Sequence, residues 1–287
     1  MLPIVGSVVV IISVLGGFVL SHGQILALWQ PFELLIIGGA ALGGFLTSNP
    51  PKVVKAVGRS LIDVLKGPKY KKQDYLDILS LMYELMNVAR KNGPLALESH
   101  VEDPAKSEIF SKFPRLLADH HLLAFITDCL RMTITAEMNP HELEPLLELE
   151  METHHHDAEA PAHALSKVAD SLPGFGIVAA VLGIVITMGA IGGDITAVGH
   201  HVASALVGTF LGILLAYGFI GPVAVAVEQR AKEDSRAFEC IKAALVANLH
   251  GYVPKIAIEF ARKSLSISVR PDFSELEAHL KGGKVGA

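Results

Sequence analysis

Residues 170–194 read DSLPGFGIVAAVLGIVITMGAIGGD, and the 23 residues between Asp170 and Asp194 carry no charged side chain. A helix needs roughly 20 apolar residues to cross the hydrocarbon core of a bilayer, and only a helix satisfies its own backbone there. The stretch therefore predicts a membrane-spanning helix. Its proline and its small residues raise the question of whether this helix is only an anchor or a surface along which something moves.

Three more segments have the length and apolar character of a membrane-spanning helix. They are Pro3–Leu20, about Phe32–Thr47 with Glu33 at its outer edge, and a stretch within Val202–Val227. The first segment lacks the basic residues that begin a secretory signal, so we expect it to be retained. Since 51% of the 287 residues are hydrophobic, the composition favours a membrane protein over a soluble globular domain.

The distribution of Lys and Arg predicts the orientation, because these residues stay preferentially on the cytoplasmic side. Residues 52–72 hold seven of them against one acid, whereas the connections 21–31 and 192–201 hold none. We therefore expect both termini in the cytoplasm, where Cys129 and Cys240 would stay unpaired thiols. The predicted fold class is an all-α membrane protein with four transmembrane helices. Its predicted domains are transmembrane helices 1 and 2 (residues 1–47), a helical cytoplasmic domain (48–170), transmembrane helices 3 and 4 (171–227) and a helical cytoplasmic tail (228–287).

A charged elbow is predicted within the cytoplasmic domain. The segment QDYLDILSLMYELMNVARKNG, residues 73–93, has apolar residues at helical spacing. Its helix should end at Asn92-Gly93-Pro94, because glycine suits the position after a helix and proline cannot continue one. Arg90 precedes this break and Glu98 follows it. The simpler interpretation is two solvated charges; the functional one is a surface that meets a partner, where complementary charges set register and encounter rate.

Small residues line one face of each of the last two predicted membrane helices. Steps of three or four residues place them one above another. One interpretation is close helix–helix packing, and the other is a smooth wall past which a second helix or an ion moves; both can hold at once. The members are Pro173, Gly176, Ala180, Gly183, Thr187 and Ala190 in the third span, and Ala205, Gly208, Gly212 and Ala216, with Thr209 beside them, in the fourth.

Ionisable side chains are missing from the middle of all four predicted spans. A path for protons or cations through a membrane normally contains one. Asp170 and Asp194 lie at the two ends of the third span, Glu33 at the edge of the second, and His200 and His201 at the outer mouth of the fourth. If the protein conducts ions, we expect another polypeptide to supply the carrier group.

No pattern typical of an enzyme is present. The stretch ETHHHDAEAPAH, residues 152–163, holds four histidines, but consecutive residues on a helix point about 100° apart and do not converge on one ion. His156 with His163, or His155 with Glu159, is the pair that faces one way. We interpret the segment as a polar linker before the membrane, with a metal site as the less favoured alternative. Protease, hydrolase, Walker and Rossmann motifs are absent from the sequence, so we expect no enzyme activity, metal or cofactor.

Three longer motifs occur in a fixed order along this layout. They are ARKNGPLALE (89–98), ADSLPGFGIVAAVLG (169–183) and ALVGTFLGILLAYGFIGP (205–222). With them, nearly the whole chain resembles the motility protein A (MotA) family, the larger stator subunit of the bacterial flagellar motor. The resemblance implies an inner-membrane location and a motility protein B-type partner that has one spanning helix with a carboxylate and a peptidoglycan-binding domain. It also implies five A subunits around two B helices.

The resemblance further implies roles for individual residues. Arg90, Glu98 and, on a weaker match, Glu150 correspond to charges that engage the rotor's switch complex. Pro173 and Pro222 correspond to prolines at the cytoplasmic ends of the last two spans that couple ion passage to movement. Asp170 lies at the inner mouth of the ion path, Ala180 and Thr209 correspond to positions facing the partner's helix, and Gly176, Gly183 and Thr187 continue that smooth face.

The coupling ion predicted on this basis is H⁺. Sodium-driven members of the family tend to carry a hydroxyl where this chain has Ala180, and dehydrated Na⁺ needs several oxygen ligands, of which this wall offers mainly Thr187 and Thr209. Two alternative functions remain at this point. One is a TolQ- or ExbB-like proton channel that energises outer-membrane processes, although those relatives have three spans; the other is a passive membrane scaffold without ion coupling.

Overall fold

The computed structural model describes residues 2–135, 140–189 and 195–281, and the regular secondary structure in these ranges is all helical. In chain order the helices are α1 (Leu2–Leu20), α2 (Pro31–Ser48), α3 (Pro51–Lys66), α4 (Lys72–Asn92), α5 (Glu98–Glu102), α6 (Pro114–Leu117), α7 (His120–Thr135), α8 (Pro140–Gly189), α9 (Ile195–Ile213), α10 (Gly221–Leu249), α11 (Pro254–Ser264) and α12 (Phe273–Leu280). A π-helical segment, Leu214–Ile220, joins α9 directly to α10. The prediction of an all-α protein is confirmed for these residues.

Four segments of the described ranges are long and apolar enough to cross a membrane, as predicted. They are Leu2–Leu20, Ile25–Ser48, His141–Gly189 and Val198–Leu249. The last two exceed the roughly 20 residues that a bilayer requires, so only a part of each is expected to span. The placement of residues 48–170 and 228–287 in the cytoplasm stays a prediction.

One compact unit consists of Met1–Gly67 and Ala158–Ala231. Small and branched residues form two apolar clusters in it. The first groups Ile37, Ala41, Leu172, Ala179 and Ala216, and the second groups Val57, Ala162, Ala164, Leu165, Ala224 and Val227. No residue of α1 is buried, as suits a helix whose surface is apolar all round and faces lipid or another subunit.

The other compact unit consists of Pro68–Asp157 and Lys232–Ala287. Its apolar core draws on α4, α7, α11 and the parts of α8 and α10 that belong to this unit. The helical spacing predicted for α4 is confirmed, because its apolar positions are buried together: Tyr75, Ile78, Leu79, Met82, Leu85 and Met86.

Residues 152–163 are helical, as expected for a helical domain over residues 48–170, and their interpretation as a polar linker before the membrane stays a prediction. α8 runs from Pro140 through Pro161 and Pro173 to Gly189 without ending. Its acids and histidines give the segment a polar composition, but Met151 just before it and Ala162 within it are buried. The polar composition therefore belongs to a helix with one solvated face.

Candidate functional site

The elbow predicted at Gly93 is confirmed. α4 ends at Asn92, Gly93 has a φ of 86°, which side chains with a Cβ rarely adopt, and a 3-10 turn leads into α5. Arg90 lies in the last turn of α4 and Glu98 in the first turn of α5, and both are exposed. Neither side chain forms an ion pair or hydrogen bond with another described residue. Two opposite charges are thus presented on either side of a turn, without partners in this part of the chain.

Arg131 of α7 ties the elbow to the rest of its unit. Its Nε donates to Glu102 Oε1 at 3.1 Å, its Nη1 to Asp128 Oδ1 at 3.0 Å, and its Nη2 to the Val101 carbonyl at 3.4 Å. Exposed ion pairs contribute only about 0–1 kcal/mol each, but the two bonds from Arg131 to Glu102 and Val101 of α5 restrict how α5 lies against α7. The direction of Glu98 is set in this way.

Glu150 differs from the two elbow charges. It is half-buried on α8, with Asp128 as a neighbouring carboxylate. Like charges repel, and part of the Glu150 surface is withdrawn from water. The structure therefore leaves Glu150 less accessible to a partner than Arg90 or Glu98.

The small-residue faces of α8 and α9 pack directly against each other. A Cβ placed on Gly176 would lie 3.0 Å from the Gly208 oxygen and 3.2 Å from Gly212 Cα, and a Cβ placed on Gly212 would lie 2.7 Å from the Leu172 oxygen. Cβ atoms essentially never approach other atoms more closely than 3.0 Å. Glycine is therefore required here by close packing within the chain, which is the first of the two interpretations given above.

The part of the same face nearer the C-terminal end of α8 is also in contact with other parts of the chain. A Cβ on Gly183 would lie 2.9 Å from the Cβ of Ala205, and Thr187 is buried with its hydroxyl donating to the Gly183 carbonyl at 2.8 Å. Ala190 lies outside the described residues. By contrast, Ala180 and Thr209 are only half-buried, so part of each side chain stays accessible.

The inner end of the predicted path contains two prolines and one acid. Asp170 is exposed and Pro173 is half-buried inside α8. Proline lacks an N–H group, so the carbonyl four residues earlier loses its helical hydrogen bond. Pro222 is exposed and directly follows the π-helical segment Leu214–Ile220. The wider turns of a π-helix at this point agree with a proline that interrupts the regular helical hydrogen bonds. Segments of π-helix are also frequent at functional positions.

The surroundings of Glu33 were missed from the sequence. It does lie near the start of α2, but only 7% of its surface is exposed, and a Cβ placed on Gly208 of α9 would lie 3.0 Å from its Oε2. An acid in the first turn of a helix is common, because it faces the positive end of the helix dipole. The position of Glu33 in the sequence therefore did not indicate that it is buried. The available signal was that Glu33 is the only charged residue among the first 51.

His154 and His155, two of the three adjacent histidines, contact different neighbours. His154 packs its ring against Phe238, with 4.1 Å between the ring centroids, whereas His155 approaches Glu239 at 3.5 Å. Within the described ranges, no group of three His, Cys, Asp or Glu side chains is arranged to hold a metal ion.

Two family models match the chain. One, described as Motility protein A N-terminal, matches residues 4–93, and the other, described as the MotA/TolQ/ExbB proton channel family, matches residues 117–240. Motility protein A of Salmonella typhimurium is 47% identical over 281 residues, which cover 98% of this chain and 95% of that protein. Motility protein A of Escherichia coli is 46% identical over 284 residues, which cover 99% and 96%. Chemotaxis protein LafT of Vibrio parahaemolyticus is 42% identical over 275 residues, which cover 96% of each chain.

Solved structures share the fold. The C. jejuni MotAB structure matches with a TM-score of 0.73 and 22% identity, over 92% of this chain and 95% of that chain. The flagellar MotAB stator complex from Bacillus subtilis matches with a TM-score of 0.72 and 22% identity, over 96% and 100%. The matched family consists of stator and ion-channel subunits rather than enzymes, and its members are integral membrane proteins. Because relatives above 40% identity extend over nearly the whole chain, this chain belongs to the motility protein A family of flagellar motor stator subunits.

Proposed function

We propose that this chain works with a motility protein B-type subunit as a proton-driven stator that exerts torque on the flagellar rotor. The observation that carries the proposal is the full-length similarity to motility protein A at 47% identity. In the proposed assembly five copies of this chain surround two partner helices in the bacterial inner membrane, and both termini of each copy lie in the cytoplasm.

The proposed motion begins when a proton from outside neutralises the carboxylate of the partner's helix. Neutralising a charge in a low-dielectric site changes which position in the ring it favours, so the ring steps around the anchored partner. The close contact of Gly176 with Gly212 supports this step, because α8 and α9, whose backbones are in contact there, would move together as one rigid unit. Ala180 and Thr209 keep accessible surface with which to meet the partner's helix.

The inner end of the ring couples proton release to bending. In this proposal the proton leaves past Asp170, and Pro173 and Pro222 act as hinges. Each proline removes one hydrogen bond from its helix, which lowers the cost of bending there. The π-helical segment before Pro222 supports the hinge role.

The elbow transmits the step to the rotor's switch complex. Arg90 and Glu98 are exposed and have no ion pair among the described residues, so opposite charges on a partner would not have to displace existing contacts. Glu150 is proposed as a third, weaker contact because it is half-buried.

The elbow role is tested in cells whose own A subunit is deleted. Wild-type chain should restore swimming, and Arg90→Glu should abolish it. Co-purification with the B subunit should persist, and so should proton leak through a plug-deleted complex, one whose B subunit lacks the segment that plugs the channel. Lys91→Glu is the matched control, because it makes the same charge change on the neighbouring residue, which points about 100° away on α4. Normal swimming with Arg90→Glu would contradict the elbow role, and a plug-deleted wild-type complex without proton leak would favour a passive scaffold.

The choice of H⁺ over Na⁺ rests on the oxygen atoms available along the wall. Ala180 offers none, and the Thr187 hydroxyl is buried and donates to the Gly183 carbonyl. Of the hydroxyl groups on the predicted face, that of Thr209 is then the one with accessible surface. A single hydroxyl oxygen supplies too few ligands for dehydrated sodium. Swimming speed should be unchanged in sodium-free medium at constant proton-motive force, and a stall under these conditions would overturn the choice.

A further inference from the structure

Glu33 is a buried carboxyl in a part of the chain that is otherwise uncharged. It is the only Asp, Glu, Lys or Arg among residues 1–51, and 7% of its surface is exposed. No Lys or Arg of the described residues pairs with it. A buried carboxylate without a cation is costly by several kcal/mol, so its retention in a spanning segment points to a function.

The hydrogen bonds around Glu33 suit a carboxyl that holds a proton. The Ser204 hydroxyl lies 3.0 Å from Gln30 Oε1 and 3.3 Å from Glu33 Oε1. The Gln30 amide nitrogen donates to the Ala27 carbonyl at 3.2 Å, which directs Gln30 Oε1 towards Ser204. A hydroxyl has a single proton to donate, so with Glu33 ionised one of these two oxygens goes without it.

Protonation of Glu33 removes this shortage. Glu33 then donates to the Ser204 oxygen, and Ser204 donates to Gln30 Oε1, so each of the three groups is satisfied. The other carboxyl oxygen, Glu33 Oε2, is buried and has no hydrogen-bond partner among the described residues. An unpaired oxygen costs less on a neutral acid than on an anion, so this atom also suits the protonated form.

The carboxyl lies beside the wall that is proposed to face the partner. A Cβ on Gly208 would lie 3.0 Å from Glu33 Oε2, 3.3 Å from Ala179 Cβ and 3.5 Å from the Ala180 nitrogen. Glu33 is therefore at the level of Ala180, near the middle of α8's charge-free part. At the other end of the hydrogen-bonded row, Gln30 is half-exposed, so the row leads from accessible surface to a buried carboxyl.

Few other titratable groups occur on the elements that surround this site. His200 and His201 lie about one turn before Ser204 on α9. The sequences of α1, α2 and residues 171–189 of α8 contain no titratable side chain besides Glu33 itself. The two histidines are therefore the titratable groups of α9 nearest in sequence to Ser204.

We propose that Glu33, Ser204 and Gln30 form a proton-binding site of this chain at the level of Ala180, which the coupling proton occupies before it reaches the partner's carboxylate. The inference rests on the proposed function as a proton-driven stator. A proton from outside water binds the Glu33 carboxylate, and the same proton later leaves for the partner's carboxylate, which returns Glu33 to its charged form. Net charge and proton number balance in each cycle.

The test measures proton flux through the complex of this chain with a plug-deleted B subunit, reconstituted in vesicles with a pH-sensitive dye inside. Glu33→Gln keeps the size and hydrogen-bonding capacity of the side chain but cannot release a proton, and it should lower the flux by about tenfold or more. Glu33→Asp should retain flux. Asp63→Asn removes an exposed carboxylate of α3 that pairs with Lys66 and is the control that should leave the flux unchanged.

A second variant distinguishes proton binding from a structural role. Ser204→Ala removes the hydroxyl that lies 3.3 Å from Glu33 Oε1, so the external pH of half-maximal flux should move. An unmoved midpoint, or a Glu33→Gln complex that conducts like wild type, would overturn the proposal. A wild-type complex that conducts no protons would instead refute the proposed function, so the two failures are separate.

Discussion

Gly212→Ala is the substitution for which the structure predicts the clearest effect. The new Cβ would lie 2.7 Å from the Leu172 oxygen and 2.9 Å from Gly176 Cα. Both atoms belong to the backbone of α8 and cannot turn away as a side chain would. The two helices must therefore separate by several tenths of an ångström along their contact.

The expected cost is that of overpacking, about 1–3 kcal/mol. A glycine-to-alanine change in a helix also gains about 1 kcal/mol of helix propensity, so a matched control is needed to remove this term. Gly58→Ala supplies it, because Gly58 lies in α3 with no atom within 4 Å of a new Cβ. The difference between the two variants then isolates the packing term.

The assay is thermal unfolding of the purified complex, followed by circular dichroism at one scan rate. At about 2–4 °C per kcal/mol for a protein of this size, the melting temperature of Gly212→Ala should lie several degrees below that of Gly58→Ala. Equal melting temperatures would refute the close α8–α9 contact. Gly183→Ala should be rescued in part by Ala205→Gly, because its nearest obstacle at 2.9 Å is the Ala205 Cβ.

Three further outcomes are expected from the other unit. Leu147→Ala should lower its stability by about 2–5 kcal/mol, seen as a lower melting temperature, because Leu147 is fully buried. Cys129 and Cys240 should react with a thiol reagent only after unfolding, since both are fully buried and burial raises the pKa of the Cys129 thiol; rapid labelling of the folded chain would refute this. Hydrogen bonds from Arg262 hold the pKa of Glu259 below its ordinary value of 4.5. The stabilisation that these bonds give to the folded state is therefore complete above pH 4.5, and it is lost as the pH falls through the lowered pKa. Melting temperatures should therefore fall more steeply on acidification for wild type than for Arg262→Met, and parallel curves would contradict the pairing.

The features that were predicted correctly depend on local properties of the chain. The first span was expected at Pro3–Leu20, and a helix long and apolar enough to cross a bilayer is observed at Leu2–Leu20, because this property depends on the length and apolar character of the segment alone. The break at Gly93 was predictable for a similar reason, since a positive φ beside a proline ends a helix whatever surrounds it.

The features that were missed depend on residues far apart in the chain. Residues 152–163 have a polar composition, and only the tertiary structure shows that Ala162 among them is buried. The burial of Glu33 depends on Ser204 and Gly208, more than 170 residues away. Neither pattern is visible in a window of neighbouring residues.

The sequence by itself determined the number of candidate spans, the charged elbow and the small-residue faces of α8 and α9, because each follows from composition and helical spacing. Only the tertiary structure decided how those faces are used. Gly176 and Gly183 are taken up by contact between α8 and α9, whereas Ala180 and Thr209 keep accessible surface. The physical reason is that helical spacing fixes which residues share a face, but the register between two helices decides which of them touch, and that register is set by backbone contacts as close as those of Gly212.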